Sequence, residues 1–503
     1  MTRLLRESKQ SETPRARNER RVLAAYPWKA LFPDLLSGWY CRQILNMKGV
    51  IMDTPFEIRG VIEGFYGNFY TFPQRNDMIQ FLGEQDFNLY IYGPKNDRLH
   101  RNHWRAPYPD EVMERFRETI QISKEAGIEF CFSLGSGVSM NYASQEDMNI
   151  IKAKFRTFYD IGVRTFCILL DDISSEFRYE EEKQKFRSYA EAHQFVCNDL
   201  YDWLKSLDQD CSLMMCPTDY HGSSPFSSYI HELGDGLYPE VDIFYTGPEI
   251  CSPTMPADEV DAFGNAVKRQ PIIWDNYPVN DLAMQPEMHI GPITGRGSNL
   301  TQASKGFVIN TMIEPEASKI PLLTFADYFR DPVHYVPWDS WEKALQKIAG
   351  DSSPYLRKFA ENSLHSCLGF SEAEKLEHLT DNAFHQLQAG KPVLGNRAVD
   401  ELEDYLQEVD AACYHLKNFM GNYELRNDLL PWIDLLGEWY WVGQRSLNIL
   451  KATERNEPYA KTLNQLEESL EKVKRHPKRI AGTILLPLAE WALKKVHHEE
   501  VAK

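Results

Sequence analysis

Eight times between residues 58 and 309 the sequence repeats one unit: a short apolar run, a turn or polar cluster, then a helix-length amphipathic stretch. The runs occupy 58–62, 88–92, 129–134, 165–170, 212–215, 241–245, 271–274 and 307–309. A run that is apolar at successive positions has no face to offer water. It therefore reads as a strand buried on both sides, in a parallel sheet covered by helices. The stretches 77–84, 110–126, 145–161, 179–207 and 257–267 carry the apolar spacing of the covering helices. Eight units over roughly 270 residues match an α/β fold of the (β/α)8 TIM barrel type in number and length. A doubly wound open sheet is the alternative, but it favours fewer strands and a Gly-rich phosphate-binding first turn, which is absent.

Beyond residue 335 the strand signals stop. Amphipathic patterns at 339–349, 354–368, 371–389, 397–419, 426–453, 460–475 and 479–496 read as helices, with Asp339 and Ser371 as N-caps. A chain of 503 residues exceeds one small core. Three regions are expected: a basic, flexible extension over 1–55, a catalytic barrel over 56–335, and an all-α helical domain over 336–503.

Charge narrows the partners. The formal charge is −18, whereas a surface for nucleic acid or anionic membrane needs a basic excess. Neither is expected as a partner. Residues 1–50 carry a net of +6, leaving −24 for the rest, so the polar, basic opening reads as a flexible extension. Alternatively the mature protein starts at Met47 or Met52. No run of about 18 apolar residues offers a transmembrane helix. The apolar residues after Arg20-Arg21 are cut short by Tyr26, Pro27, Trp28 and Lys29, too soon for a secretory signal. Nine scattered cysteines without a CxxC pair suggest reduced thiols rather than disulfides or a zinc site. These features favour the cytoplasm and leave secretion open.

In such a barrel the chemistry comes from the carboxyl ends of the strands and the loops after them. The residues there are unusually polar: Glu63 and Tyr66, Lys95, Asp171 and Asp172, Asp219 and Tyr220, Trp274 to Asn276 with Asp281 beyond, and Asn310. Carboxylates, amides, a lysine and aromatic rings at one mouth suit a sugar, whose hydroxyls need paired donors and acceptors and whose ring faces need flat apolar surfaces. The Asp171-Asp172 pair ends an apolar strand. Two adjacent carboxylates in a closed pocket repel, which raises one pKa and lets that group hold a proton near neutral pH. Neighbours on one strand end are poorly placed to flank a scissile bond from both sides. This favours attack by the substrate's own 2-acetamido oxygen, an intramolecular step that gains from proximity. Two plainer readings stand beside it: an N-cap for the next helix, and a magnesium site.

Several segments together resemble glycoside hydrolase family 84, which contains the protein O-GlcNAcases and bacterial β-N-acetylglucosaminidases. They are Gly60-Val61-Ile62-Glu63-Gly64-Phe65-Tyr66-Gly67, Tyr90-Ile91-Tyr92-Gly93-Pro94-Lys95-Asn96-Asp97, Leu169-Leu170-Asp171-Asp172-Ile173, Cys216-Pro217-Thr218-Asp219-Tyr220, and Ile273-Trp274-Asp275-Asn276 through Asn280-Asp281. The resemblance covers about residues 56–330 and continues more loosely beyond. It implies that Asp171 orients and polarises the 2-acetamido group, and that Asp172 is the general acid and then the base that opens an oxazoline. It implies further that Tyr220 and Asn276 hold the acetamido end, that Trp274 and Cys216 surround the acetyl methyl, and that Gly64, Lys95, Asp281 and Asn310 bind the sugar hydroxyls. Tyr66 and Asn280 remain candidate pocket walls. The implied activity is that of a retaining exo-β-N-acetylglucosaminidase acting on a glycoconjugate or glycoprotein, without cofactor or metal. A hyaluronidase-type endo enzyme, a non-catalytic sugar-binding barrel and a metal-dependent hydrolase are the alternatives. Each residue also has a plainer role: Lys95 as a surface cation, Trp274 and Cys216 as core. His100, His103 and His221 lack metal-ligand spacing and read as loop or surface histidines.

Overall fold

Alternation along each strand decides what it shows to the barrel axis and what it shows to the helices outside. The computed structural model describes residues 56–502, the side chains of 497–502 excepted. The expected extension over 1–55 and the alternative starts at Met47 and Met52 lie outside the described residues. Strands β1 (Ile58–Glu63), β2 (Leu89–Tyr92), β3 (Glu129–Leu134), β4 (Thr165–Leu169), β5 (Ser212–Cys216), β6 (Asp242–Tyr245), β7 (Ile272–Asp275) and β8 (Gly306–Asn310) close in sequence order into a barrel. Neighbours pair in parallel, and β8 returns to β1. The chain is thus a (β/α)8 TIM barrel followed by a helical region. All eight expected runs are strands, with bounds shifted by at most one residue.

One parity of the strands, including Ile62, Ile91, Cys131, Leu169, Met214, Phe244, Trp274 and Val308, fills the barrel interior. The other, including Val61, Tyr90, Phe132, Phe166, Ile243 and Ile309, packs against the surrounding helices. Those helices are α1 (Phe72–Glu84), α2 (Asp110–Glu125), α3 (Gln145–Asp160), α4 (Glu180–Lys185), α5 (Tyr189–Leu207), α6 (Ser228–Gly236), α7 (Ala257–Val267), the short α8 (Leu300–Ala303) and α9 (Pro315–Arg330). Local chemistry starts them. Thr71 and Gln74 form a capping box on α1, and Ser144, Ser188 and Ser227 each cap a free backbone N–H of α3, α5 and α6.

Several helical expectations differ, among them 354–368, where only Ser353–Ala360 is α-helical, and 479–496, whose helix begins at Leu486. The stretch 179–207 is two helices, because Ser188 caps a new start. The α9 helix escapes the sequence pattern, since Pro321 inside it reads as a breaker. Asp339 and Ser371 are not N-caps; the helices there begin at Pro337 and Glu374.

From Pro337 onward the described chain is helical: α10 (Pro337–Ala349), α11 (Ser353–Ala360), α12 (Glu374–Gln388), α13 (Arg397–Phe419), α14 (Tyr423–Arg455), α15 (Ala460–Arg475) and α16 (Leu486–Ala502). This region holds the loops at the carboxyl ends of β7 and β8. Asp428 of α14 accepts the Glu316 and Ala317 N–H groups at the start of α9, at 2.8 and 3.1 Å. Trp432 Nε1 donates to the Pro286 carbonyl at 2.9 Å, the Arg479 N–H donates to the same oxygen at 2.7 Å, and Ser363 Oγ donates to Met288. The loop so clamped follows β7 and carries Asp281.

Candidate active site

Strand parity delivers the first group of pocket residues. Two residues past the inward-facing Ile62, Leu169, Trp274 and Val308 stand Gly64, Asp171, Asn276 and Asn310, and four past Ile91 stands Lys95. Cys216 and Trp274 belong to the barrel interior itself. Tyr220 and Asp281 come from the loops after β5 and β7. These nine residues, with Asp172 and Tyr66, line one pocket of about 290 Å³ at the carboxyl ends of the strands, and Thr246, Ile250, Cys251, Val279, Leu282, Ala283 and Met284 complete its wall. That volume is near the lower end of ligand pockets, roughly 300–1,000 Å³, and suits one sugar unit.

The polar side chains interlock. Asn310 Oδ1 accepts the Gly64 N–H at 3.1 Å, and Asn310 Nδ2 donates to Asn276 Oδ1 at 2.9 Å. Trp274 Nε1 donates to the same Asn276 oxygen at 2.9 Å, while Asn276 Nδ2 donates to the Ile250 carbonyl at 2.8 Å. A Cβ on Gly64 would lie 2.8 Å from Trp274 Cζ2 and 3.2 Å from Asn310 Oδ1, so only glycine lets these three meet. Asp281 Oδ2 accepts the Tyr66 N–H at 2.7 Å.

The two aspartates sit in different settings. Asp171 is buried, and its Oδ2 forms an ion pair with the buried Lys95 ammonium. Its Oδ1 is also buried yet has no hydrogen-bond partner among the described residues. Burial pulls the Lys95 pKa down, but Asp171 and then Asp172 hold it above its ordinary value.

Asp172 has the outward parity of β4 and would face the helices if the strand ran on. Instead it adopts φ +53°, a left-handed conformation that aspartate tolerates better than most residues. The turn brings its carboxylate back to the pocket, where Tyr66 Oη donates to Oδ2 and Tyr220 Oη to Oδ1, each at 2.9 Å. The N-cap reading fails here, because the next helix begins only at Glu180.

The expected rise of one carboxyl pKa by mutual repulsion is not found at Asp172. Burial pushes its carboxyl upward, but the Lys95 ammonium, the Tyr66 and Tyr220 hydroxyls and the Arg101 guanidinium together hold it below the ordinary carboxylate range. A lysine 76 residues away neutralises the pair, so the repulsion read from the dipeptide is offset.

Four strand-end polar residues do not reach the pocket. Glu63 is buried on the outer parity, accepting from Arg75 Nε at 2.8 Å, Tyr90 Oη at 2.7 Å and the Tyr70 N–H at 2.9 Å. Asp275 is likewise outside, paired with both Arg296 nitrogens at 2.7 and 2.9 Å. Asp219 accepts from Ser227 at the start of α6. Asn280 is buried behind the wall, donating to the Glu287 carbonyl and to Glu314. His100 is buried too, against Ser133, rather than on the surface. Arg101, which no sequence signal marks, brings its guanidinium to Tyr66 and the Asp172 carbonyl. It lies on an irregular turn where neither period nor parity points to it.

The beta-N-acetylglucosaminidase family model matches residues 59–361. The protein O-GlcNAcases of Rattus norvegicus and Mus musculus are each 30% identical over 285 residues, covering 56% of this chain and 31% of theirs. The chain thus spans about a third of the length of these curated relatives. Among solved structures, the O-GlcNAc hydrolase of Thermobaculum terrenum superposes with a TM-score of 0.82 at 29% identity, covering 89% of this chain and 96% of that one. A structure named CpGH84B gives a TM-score of 0.76 at 28% identity, covering 87% of this chain and 77% of that one. With a pocket of this make-up on a closed barrel and a family match over most of the chain, the protein belongs to the β-N-acetylglucosaminidases of glycoside hydrolase family 84.

Proposed function

We propose that the protein is a retaining exo-β-N-acetylglucosaminidase that removes N-acetylglucosamine from glycoconjugates, in the manner of an O-GlcNAcase, through an oxazoline intermediate. The observation that carries this reading is Asp171. One of its oxygens is held by Lys95, while the other is buried and left without a donor. A buried acceptor left open costs roughly 1–3 kcal/mol. The 2-acetamido N–H of a bound sugar is a donor of the right kind, and it would bind Asp171 as an ionised acceptor.

The steps follow from the two settings. In the bound complex a protonated Asp172 gives its proton to the glycosidic oxygen as the C1–O bond breaks. The acetamido oxygen attacks C1, and Asp171 accepts the N–H bond and stabilises the positive charge that spreads over the new ring. Asp172, now ionised, takes a proton from the water that attacks C1, and the oxazoline reopens with net retention. Asn276 and Tyr220 would hold the acetamido group, with Trp274 and Cys216 around its methyl. Gly64, Lys95, Asp281 and Asn310 would serve the hydroxyls. Tyr220 cannot hold both the acetamido group and Asp172 fully, so substrate binding weakens one bond to the Asp172 carboxylate and favours its proton uptake.

The pocket size supports release of single sugars from a chain end or a protein side chain. A cytoplasmic location belongs to the same proposal, supported by eight cysteines that stand as free thiols among the described residues. No helix among the described residues is long and apolar enough to cross a membrane. The test is product analysis on O-GlcNAc-modified peptides, chitin fragments and hyaluronan. The expected result is free N-acetylglucosamine, formed first as the β-anomer, from the peptides and from chain ends. Internal hyaluronan fragments would shift the assignment to the endo enzyme, and no turnover of any substrate would leave only a sugar-binding barrel.

A further inference from the structure

Arg101 stands just behind the two tyrosines' carboxylate. It is 8% exposed, yet it meets no carboxylate within ion-pair distance among the described residues. Removing a guanidinium from water is costly, so its hydrogen bonds and its attraction to the Asp172 carboxylate should matter. Two are directed at one residue by two routes. Nη2 donates to the Asp172 carbonyl oxygen at 3.1 Å, and Nη1 donates to Tyr66 Oη at 2.9 Å, whose own proton goes to Asp172 Oδ2 at 2.9 Å. The guanidinium also lies over the Tyr66 ring, 5.5 Å from its centroid.

Asp172 needs such support. Its φ of +53° is a strained conformation for a non-glycine residue and persists only where neighbours impose it. The mount of Arg101 is itself firm. Its N–H donates to the Asp97 carbonyl at 3.1 Å, and Asp97 is held by Tyr92 Oη at 2.7 Å and Tyr108 Oη at 2.6 Å. Gly135 packs close to the Arg101 stem.

We propose that Arg101 is a positioning residue for the general acid/base: its fork locks the left-handed backbone of Asp172 through the carbonyl and aims the carboxyl through Tyr66. The inference rests on the assignment of Asp172 as acid and base. Lysine cannot replace the fork, because one ammonium offers no fixed pair of parallel donors.

The test compares the full chain with Arg101→Lys, Arg101→Met and, in parallel, Asp172→Asn, on aryl N-acetylglucosaminides graded by leaving-group acidity. A displaced proton donor matters most where the leaving group needs a proton. Both Arg101 variants should therefore lose about 10- to 100-fold in kcat/KM, which reports the first step, on the poorest leaving group and far less on the best. A merely structural role would instead lower kcat/KM equally for every leaving group, and that result overturns the proposal, as does wild-type activity in Arg101→Lys. Arg101→Lys keeps the charge and decides the matter if Arg101→Met does not fold. A graded loss in Asp172→Asn with none in the Arg101 variants refutes the positioning role alone. An ungraded loss in Asp172→Asn removes the acid/base assignment, and this inference with it.

Discussion

Asp172→Asn is expected to lower kcat about 10²- to 10⁴-fold on N-acetylglucosaminides with poor leaving groups, the range that a positioned acid or base contributes. Asparagine fills the same volume; its one oxygen can accept the Tyr66 hydroxyl and its amide N–H can donate to the Tyr220 oxygen, so the pocket survives while the transferable proton is lost. With a leaving group such as dinitrophenolate, which departs unaided, the first step should be nearly restored. The second step still lacks its base, so the oxazoline should accumulate and an external nucleophile such as azide should speed its breakdown. The pH profile carries the sign. In the free protein the Asp172 carboxyl is held below its ordinary range, chiefly by Lys95 and the two hydroxyls against the opposing effect of burial. In the proposed complex the substrate takes Tyr220 away and covers the site, which would raise it. The limb that reports loss of the acid's proton should lie at lower pH in kcat/KM than in kcat, and steady-state profiles of the wild type check this. Coincident limbs would mean that binding leaves Asp172 unchanged.

Asp171→Asn is expected to cost about 10²- to 10³-fold in kcat, the scale seen when one preorganised partner of a developing charge is removed. Here the loss should be the same for good and poor leaving groups, because the role proposed for Asp171 is on the nucleophile rather than on the departing oxygen. The variant should also be less stable. Asp171 is the foremost support of the buried Lys95 cation, and breaking a buried pair by removing one partner costs about 3–5 kcal/mol. Kinetics across the leaving-group series together with thermal unfolding separates the two aspartates. A graded loss in Asp171→Asn would show that the roles are exchanged.

The barrel was legible because its strands are buried on both faces, so each apolar run marked itself without help from distant residues. Strand-end position and the resemblance to the family pointed to Gly64, Asp171, Asn276 and Asn310, which all stand on the inward register. Parity within the runs, which the strand-end reading leaves out, sends Glu63 and Asp275 outward to Arg75 and Arg296. What sequence could not reveal was the exception. Asp172 has the wrong parity and reaches the pocket only through a left-handed turn, which Arg101 and Tyr66 hold from loops after other strands. Its charge state was misread for a related reason, since the lysine that offsets Asp171 comes from the loop after β2. The α9 helix was hidden by its internal proline, whose cost is offset by burial of most of that helix.

The central claim is that the substrate supplies its own nucleophile, and one series of substrates tests it directly. The leaving group is kept constant while the N-acetyl group is replaced by mono-, di- and trifluoroacetyl, which drains electron density from the attacking oxygen with little change in size. The account predicts that kcat/KM falls steeply with each fluorine in the wild type, as the carbonyl becomes a poorer nucleophile. A rate indifferent to fluorination would contradict it and place the attacking group on the protein.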